Sequence, residues 1–116
     1  ADVTVLHNPH CASSRNGLAL AESLAGDVDV VLYLKEHPDR ALLERIVRGL
    51  DGPVTELVRR DAEFARLGLA DADVETPEQV VDVLLRRPRL LQRPVVIKGE
   101  RAVVGRPKER IAALLA

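Results

Sequence analysis

Hydrophobic positions along the chain alternate between short β-branched runs and longer stripes of helical period. Val3-Thr4-Val5-Leu6 is such a short run and breaks at Asn8-Pro9, a dipeptide that favours turns, so it reads as strand then loop. From about Ser13 to Ala25 the chain is rich in Ala and Leu with polar residues interspersed, and Gly26 is placed to close this helix in a left-handed conformation. Val28 to Leu34 is mostly apolar and β-branched, the pattern of a strand buried on both faces. After Pro38, Leu42, Leu43, Ile46, Val47 and Leu50 recur at helical spacing, and Gly49 and Gly52-Pro53 end the stripe. Short helical turns are expected through Leu67. Thr76-Pro77-Glu78-Gln79 then has the order of an N-cap, a proline in the first turn and a capping box, leading into Val80, Val81, Val83, Leu84 and Leu85 before Pro88. Val95-Val96-Ile97 and Arg101-Ala102-Val103-Val104 flank a Lys98-Gly99-Glu100 turn and predict a hairpin. A last helix starts at Pro107 and carries Ile111, Leu114 and Leu115.

The order is β-α-β, a helical insert over about residues 39–88, then β-β-α, with no internal repeat or linker. It predicts an α/β fold with a mixed four-stranded sheet flanked by helices, the thioredoxin-like arrangement, in one domain over residues 1–116. That fold alone implies no particular reaction.

Charge narrows the function. Seventeen basic residues nearly cancel 18 acidic ones, for a net charge of -1, so no global field draws in nucleic acid or an anionic membrane. Tyr33 and Phe64 are the only aromatic residues, too few for base-stacking platforms, which argues again against nucleic acid. No apolar run approaches a membrane span and the N-terminus lacks the layout of a secretory signal, so a cytoplasmic protein without membrane attachment is expected. Lys35, Lys98 and Lys108 are the only lysines among the 17 basic residues, leaving 14 arginines. An arginine near a suspected site therefore means little unless its position argues for it.

The chemistry concentrates around the single cysteine. His7-Asn8-Pro9-His10-Cys11-Ala12-Ser13-Ser14-Arg15-Asn16 joins the first strand to the first helix, which puts Cys11 near a helix N-terminus. Unpaired N–H groups and the positive end of the helix dipole favour an anion there, so the thiol should ionise more readily than a free one, and the same groups suit an oxyanion. Ser14 and Arg15 follow within about a turn, and His7 and His10 add groups able to donate to sulfur or carry charge. A buried inert thiol is the commoner fate of a lone cysteine, but a polar loop of His, Ser and Arg is a poor setting for one. One Cys and three scattered His lack the paired spacing of a zinc site, so no metal is expected. Cys11-Ala12-Ser13-Ser14 has no second thiol, so any redox cycle must be completed by an external thiol.

Leu6 to Asn16 closely resembles the active-site loop of the glutathione/glutaredoxin-coupled arsenate reductase family, whose pattern runs H-N-P-x-C-x-x-S-R-N. The resemblance continues through Val31-Leu32-Tyr33-Leu34, Glu56 to Arg60, Leu67-Gly68-Leu69-Ala70, Arg86-Arg87-Pro88, Gln92 to Val96 and Gly105-Arg106-Pro107. It implies catalytic roles for Cys11, the nucleophile, and for His7, Ser14 and Arg15 of the same loop, and that Arg59, Arg93 and Arg106 bind the oxyanion. It also implies a cis Arg93-Pro94 peptide, arsenate as substrate, no bound cofactor, a low-molecular-weight thiol such as glutathione as reductant, and a glutaredoxin-like protein as partner. Arg60 and Arg101 are expected to be plain surface cations. His10 and Ala12 occupy positions where family members vary. The rival reading is a monothiol thioredoxin-like adaptor that binds a protein partner without turnover.

Overall fold

The computed structural model describes every residue, 1–116. Four strands, β1 (Val3–Leu6), β2 (Val28–Val31), β3 (Val95–Lys98) and β4 (Arg101–Val104), form one sheet in the order β2-β1-β3-β4. β1 runs parallel to β2 and antiparallel to β3, and β3 and β4 form the hairpin. The helices are α1 (Ala12–Ala25), α2 (Arg40–Gly49), α3 (Ala62–Arg66), α4 (Pro77–Arg86) and α5 (Glu109–Leu115). Three single-turn 3-10 segments, at Val54–Leu57, Asp71–Val74 and Pro88–Leu90, fill the connections between β2 and β3.

Strand alternation divides the core in two, because successive side chains of a strand point to opposite faces. Val3, Val5, Val96 and Val103 face one way and pack with Ala21 of α1 and with Ile111 and Leu114 of α5. Leu6, Val95, Ile97, Ala102 and Val104 face the other way, into a larger cluster with Leu43 and Ile46 of α2 and with Val80, Val81, Val83 and Leu84 of α4. At about 25 cal/mol per Å² of apolar surface removed from water, these two layers are the main source of stability.

Local signals set several boundaries. Thr76 Oγ1 accepts from the Gln79 N–H at 3.2 Å while Gln79 Oε1 accepts from the Thr76 N–H at 3.1 Å, the reciprocal pair that opens α4. Asp39 Oδ1 caps α2 by accepting from the Leu42 N–H at 2.9 Å. Gly26 follows α1 at φ 78°, a conformation that favours glycine, and its N–H bonds the Glu22 carbonyl at 2.8 Å.

Two sequence expectations are corrected. β2 is an edge strand of only four residues whose Asp29 and Val30 are exposed, not a strand buried on both faces; the chain turns at Leu32, whose carbonyl accepts from the Lys35 and Glu36 N–H groups. Arg60 is no idle surface cation. Its guanidinium donates to the carbonyls of Thr55 and Val58, each at 2.6 Å, and to the Thr55 hydroxyl, pairs with Asp71 at 3.3 Å, and lies 5.4 Å from the Phe64 ring centre. Arg60 thus ties the Val54–Leu57 turn to α3. Arg60→Ala is expected to cost about 1–2 kcal/mol in urea denaturation, the scale of a few partly exposed hydrogen bonds, while leaving the pH midpoint of Cys11 alkylation in place.

Candidate active site

β1 ends in the middle of the sheet, and the loop after it is held from both sides. On one side the His7 N–H bonds the Val31 carbonyl at 2.9 Å, which brings the segment after β2 alongside the loop. On the other side β3 pairs with β1 through Leu6 and Val95, which brings Arg93-Pro94 beside the same loop. The Arg93-Pro94 peptide is cis, as the resemblance implied, and so is Arg106-Pro107. Gly17 of α1 and Gly105 make room for Pro94: a Cβ on Gly17 would lie 2.6 Å from Pro94 Cγ, and one on Gly105 would lie 2.9 Å from it. The absent side chains let α1 seat its N-terminus directly over the Arg93-Pro94 turn.

Within the loop the hydrogen bonds form a closed set. Ser14, fully buried, takes His7 Nδ1 at 2.7 Å and the Asn8 N–H at 2.9 Å on its hydroxyl. Asn8 Oδ1 accepts from the His10 N–H at 2.9 Å, and the Asn8 carbonyl accepts from the Cys11 N–H at 3.1 Å. Arg15, exposed, donates to the Pro9 carbonyl at 2.9 Å and so braces the loop from outside. These bonds leave Cys11 at the N-cap of α1, partly buried, with no acidic residue in the first turn. Burial and then the charge of Arg15 hold the His7 pKa down, so His7 is neutral near pH 7 and carries no charge to the sulfur.

The thiol lies in a positive field. Partial burial pushes its pKa up; against this act a hydrogen bond from Arg93, the N–H of Ser14, the charge of Arg93 and the N–H of Ser13, and the balance falls to about 7. Arg106 Nη2 stands 3.3 Å from Cys11 Sγ, and its Nε donates to the Arg93 carbonyl at 2.7 Å, which locks the two arginines together. Residues 93 and 106, far apart in sequence, therefore meet on one sulfur. Arg59 differs: it forms an ion pair with Asp61 at 3.0 Å and has no contact with the sulfur, though its charge reaches the phenol of Tyr33, as do the charges of Arg93 and Cys11. A depression of about 300 Å³ lined by Ser13, Asn16, Gly105, Arg106, Pro107 and Lys108 opens beside Arg106.

Three groups of the site escape a reading of residue types. Asn8 shapes the loop through both its side chain and its carbonyl, Asp61 anchors Arg59, and Tyr33 reaches the site from the turn after β2. Tyr33 carried two signals in the sequence: it is the single tyrosine of the chain, and it lies in the Val31-Leu32-Tyr33-Leu34 stretch that shares the family resemblance.

Residues 6–114 match the ArsC family. An arsenate reductase of Escherichia coli is 34% identical over 99% of this chain and 82% of its own length. One from Neisseria meningitidis is 35% identical, with 98% of each chain covered. The structure of an arsenate reductase from Vibrio cholerae superposes with a TM-score of 0.83 at 29% identity, covering 96% of this chain and 95% of that one. The thioredoxin-like fold, the match along nearly the whole chain and the shared sequence place this protein in one group: it belongs to the ArsC family.

Proposed function

We propose that this protein is an arsenate reductase in which Cys11 attacks the arsenic of an oxyanion bound by Arg59, Arg93 and Arg106. The observation that carries the reading is the pair of guanidinium groups on a thiol poised near pH 7, with Arg106 Nη2 3.3 Å from the sulfur. The names of its relatives point to the same substrate. Arsenate near neutral pH is a tetrahedral anion. A thiolate approaching it meets repulsion, which fixed guanidinium charges offset while their forked N–H groups match its oxygens. Arg59, held by Asp61, would join the other two by exchanging that carboxylate for the oxyanion.

The steps follow from the single thiol. The Cys11 sulfur forms a bond to arsenic and one oxygen leaves, protonated to water, giving a covalent thiol-As(V) adduct. A low-molecular-weight thiol such as glutathione then forms a disulfide with the Cys11 sulfur as the S–As bond breaks. The bonding pair stays on arsenic, which departs as arsenite, reduced by two electrons. A glutaredoxin-like protein supplies the next thiol, which cleaves the mixed disulfide and returns Cys11 to its reduced form. His7 and Ser14 hold the loop that carries the sulfur, and Arg15 braces it.

The test is steady-state turnover of the purified chain with arsenate, glutathione and a glutaredoxin, reading arsenite. Arsenite should accumulate in proportion to enzyme. None formed, under conditions in which another reductase of the family turns over, would refute the reading and leave a non-catalytic adaptor.

A further inference from the structure

Tyr33 is fully buried, yet its hydroxyl has no hydrogen-bond partner. Leaving a buried polar group unpaired costs roughly 1–3 kcal/mol, so such a group in a native fold calls for an explanation. Its position supplies one. β2 ends at Val31, whose carbonyl is bonded by His7, so the chain carries Tyr33 along one flank of the Cys11 loop while Arg93 lies on the other. The Asn8 amide is close enough to influence the phenol but outside hydrogen-bonding geometry, and the charges of Arg93, Arg59 and Cys11 all act on it. Arg93 has a matching feature: its Nε is also buried and unpaired. Both sealed donors without acceptors thus belong to side chains near the sulfur, since the charges of Arg93, Arg59 and Cys11 act on the phenol and Arg93 in turn acts on the thiol.

We propose that the Tyr33 hydroxyl is a further donor to the oxyanion, taking one of its oxygens together with Nε of Arg93. The inference rests on the oxyanion site proposed above and adds a neutral donor to it. An oxygen entering beside the sulfur would give both donors the acceptor they lack. Burial raises the phenol pKa, so the group keeps its proton and can donate it to an oxyanion oxygen. Because it brings no charge, it adds to binding without competing with the thiolate for the arginines.

The experiment compares wild-type and Tyr33→Phe chains by protection of Cys11 from iodoacetamide, with arsenate and then sulfate as protecting ions, which needs no turnover. Thermal melting is read in parallel. The expected result is a half-protecting arsenate concentration about tenfold to hundredfold higher in Tyr33→Phe, the usual loss for a hydrogen bond to an ion, at an equal or higher melting temperature because an unpaired hydroxyl has been removed. Equal protection of both chains by arsenate would overturn the role of Tyr33 and leave the arginine site standing. Weaker protection with a lower melting temperature would make Tyr33 a packing residue and overturn the proposal. No protection of the wild-type chain by either ion would overturn the oxyanion site itself, and this inference with it.

Discussion

Cys11→Ser is expected to reduce arsenite formation below detection while leaving the fold intact. A serine hydroxyl does not ionise near neutral pH, even beside two guanidinium groups, so the anion that attacks arsenic is lost. The second loss is independent of the first. An alkoxide cannot form the disulfide through which the electrons reach arsenic, and no other cysteine exists to take its place. The fold has little stake in the sulfur, which is partly exposed and whose side-chain hydrogen-bond partners are the guanidinium groups of Arg93 and Arg106. A partly exposed substitution of this kind shifts stability by about 0.5 kcal/mol. Far-ultraviolet dichroism and melting should therefore match the wild type while the turnover assay reads zero. Residual arsenite at even a few per cent of the wild-type rate would show that another group attacks arsenic.

How much of this was legible in the sequence depends on the range of the interaction. The α4 start was readable because Thr76 and Gln79 satisfy each other within four residues. The position of Cys11 at a helix N-cap follows from a strand, a turn dipeptide and an Ala/Leu run in succession. Arg93 and Arg106 were picked from 14 arginines by resemblance alone, since nothing local tells them from the others. Their meeting depends on how β3, β4 and the Pro94 packing against Gly17 return the chain to α1. Arg60 was misjudged for the same reason. Its partners Thr55 and Asp71 lie in two separate 3-10 turns, and the expectation of short helical turns through Leu67 says nothing of how those turns meet. The edge position of β2 was hidden as well, because an apolar run does not say how many neighbours its strand will have.

The second large effect is expected at the arginines, and its sign is fixed by which form of the thiol they favour. A positive charge beside sulfur stabilises the thiolate, so its removal raises the pKa. In the wild-type chain the rate of Cys11 alkylation by iodoacetamide should climb with pH through a midpoint of about 7 and level off above it. Arg93→Ala removes both a hydrogen bond and a nearby charge, leaving the Ser13 and Ser14 N–H groups against the opposing effect of burial. The midpoint should move up towards the free-thiol value of about 8.5, and the thiolate share at pH 7 should fall from about half to a few per cent. Arg106→Ala removes the 3.3 Å contact and also frees the Arg93 carbonyl, so its effect has the same sign. Oxyanion binding should weaken in each variant by about tenfold to hundredfold, the scale of one charged hydrogen bond. The double variant should lose less than the product of the two, because Arg106 holds Arg93 through its backbone and each single change already disturbs the other. Arg59→Ala separates binding from activation: with no contact to sulfur it should leave the midpoint near 7 while weakening arsenate protection. An unmoved midpoint in both Arg93→Ala and Arg106→Ala would mean that these guanidinium groups do not govern the thiol in solution, and the nucleophile would then owe its ionisation to the α1 N–H groups alone.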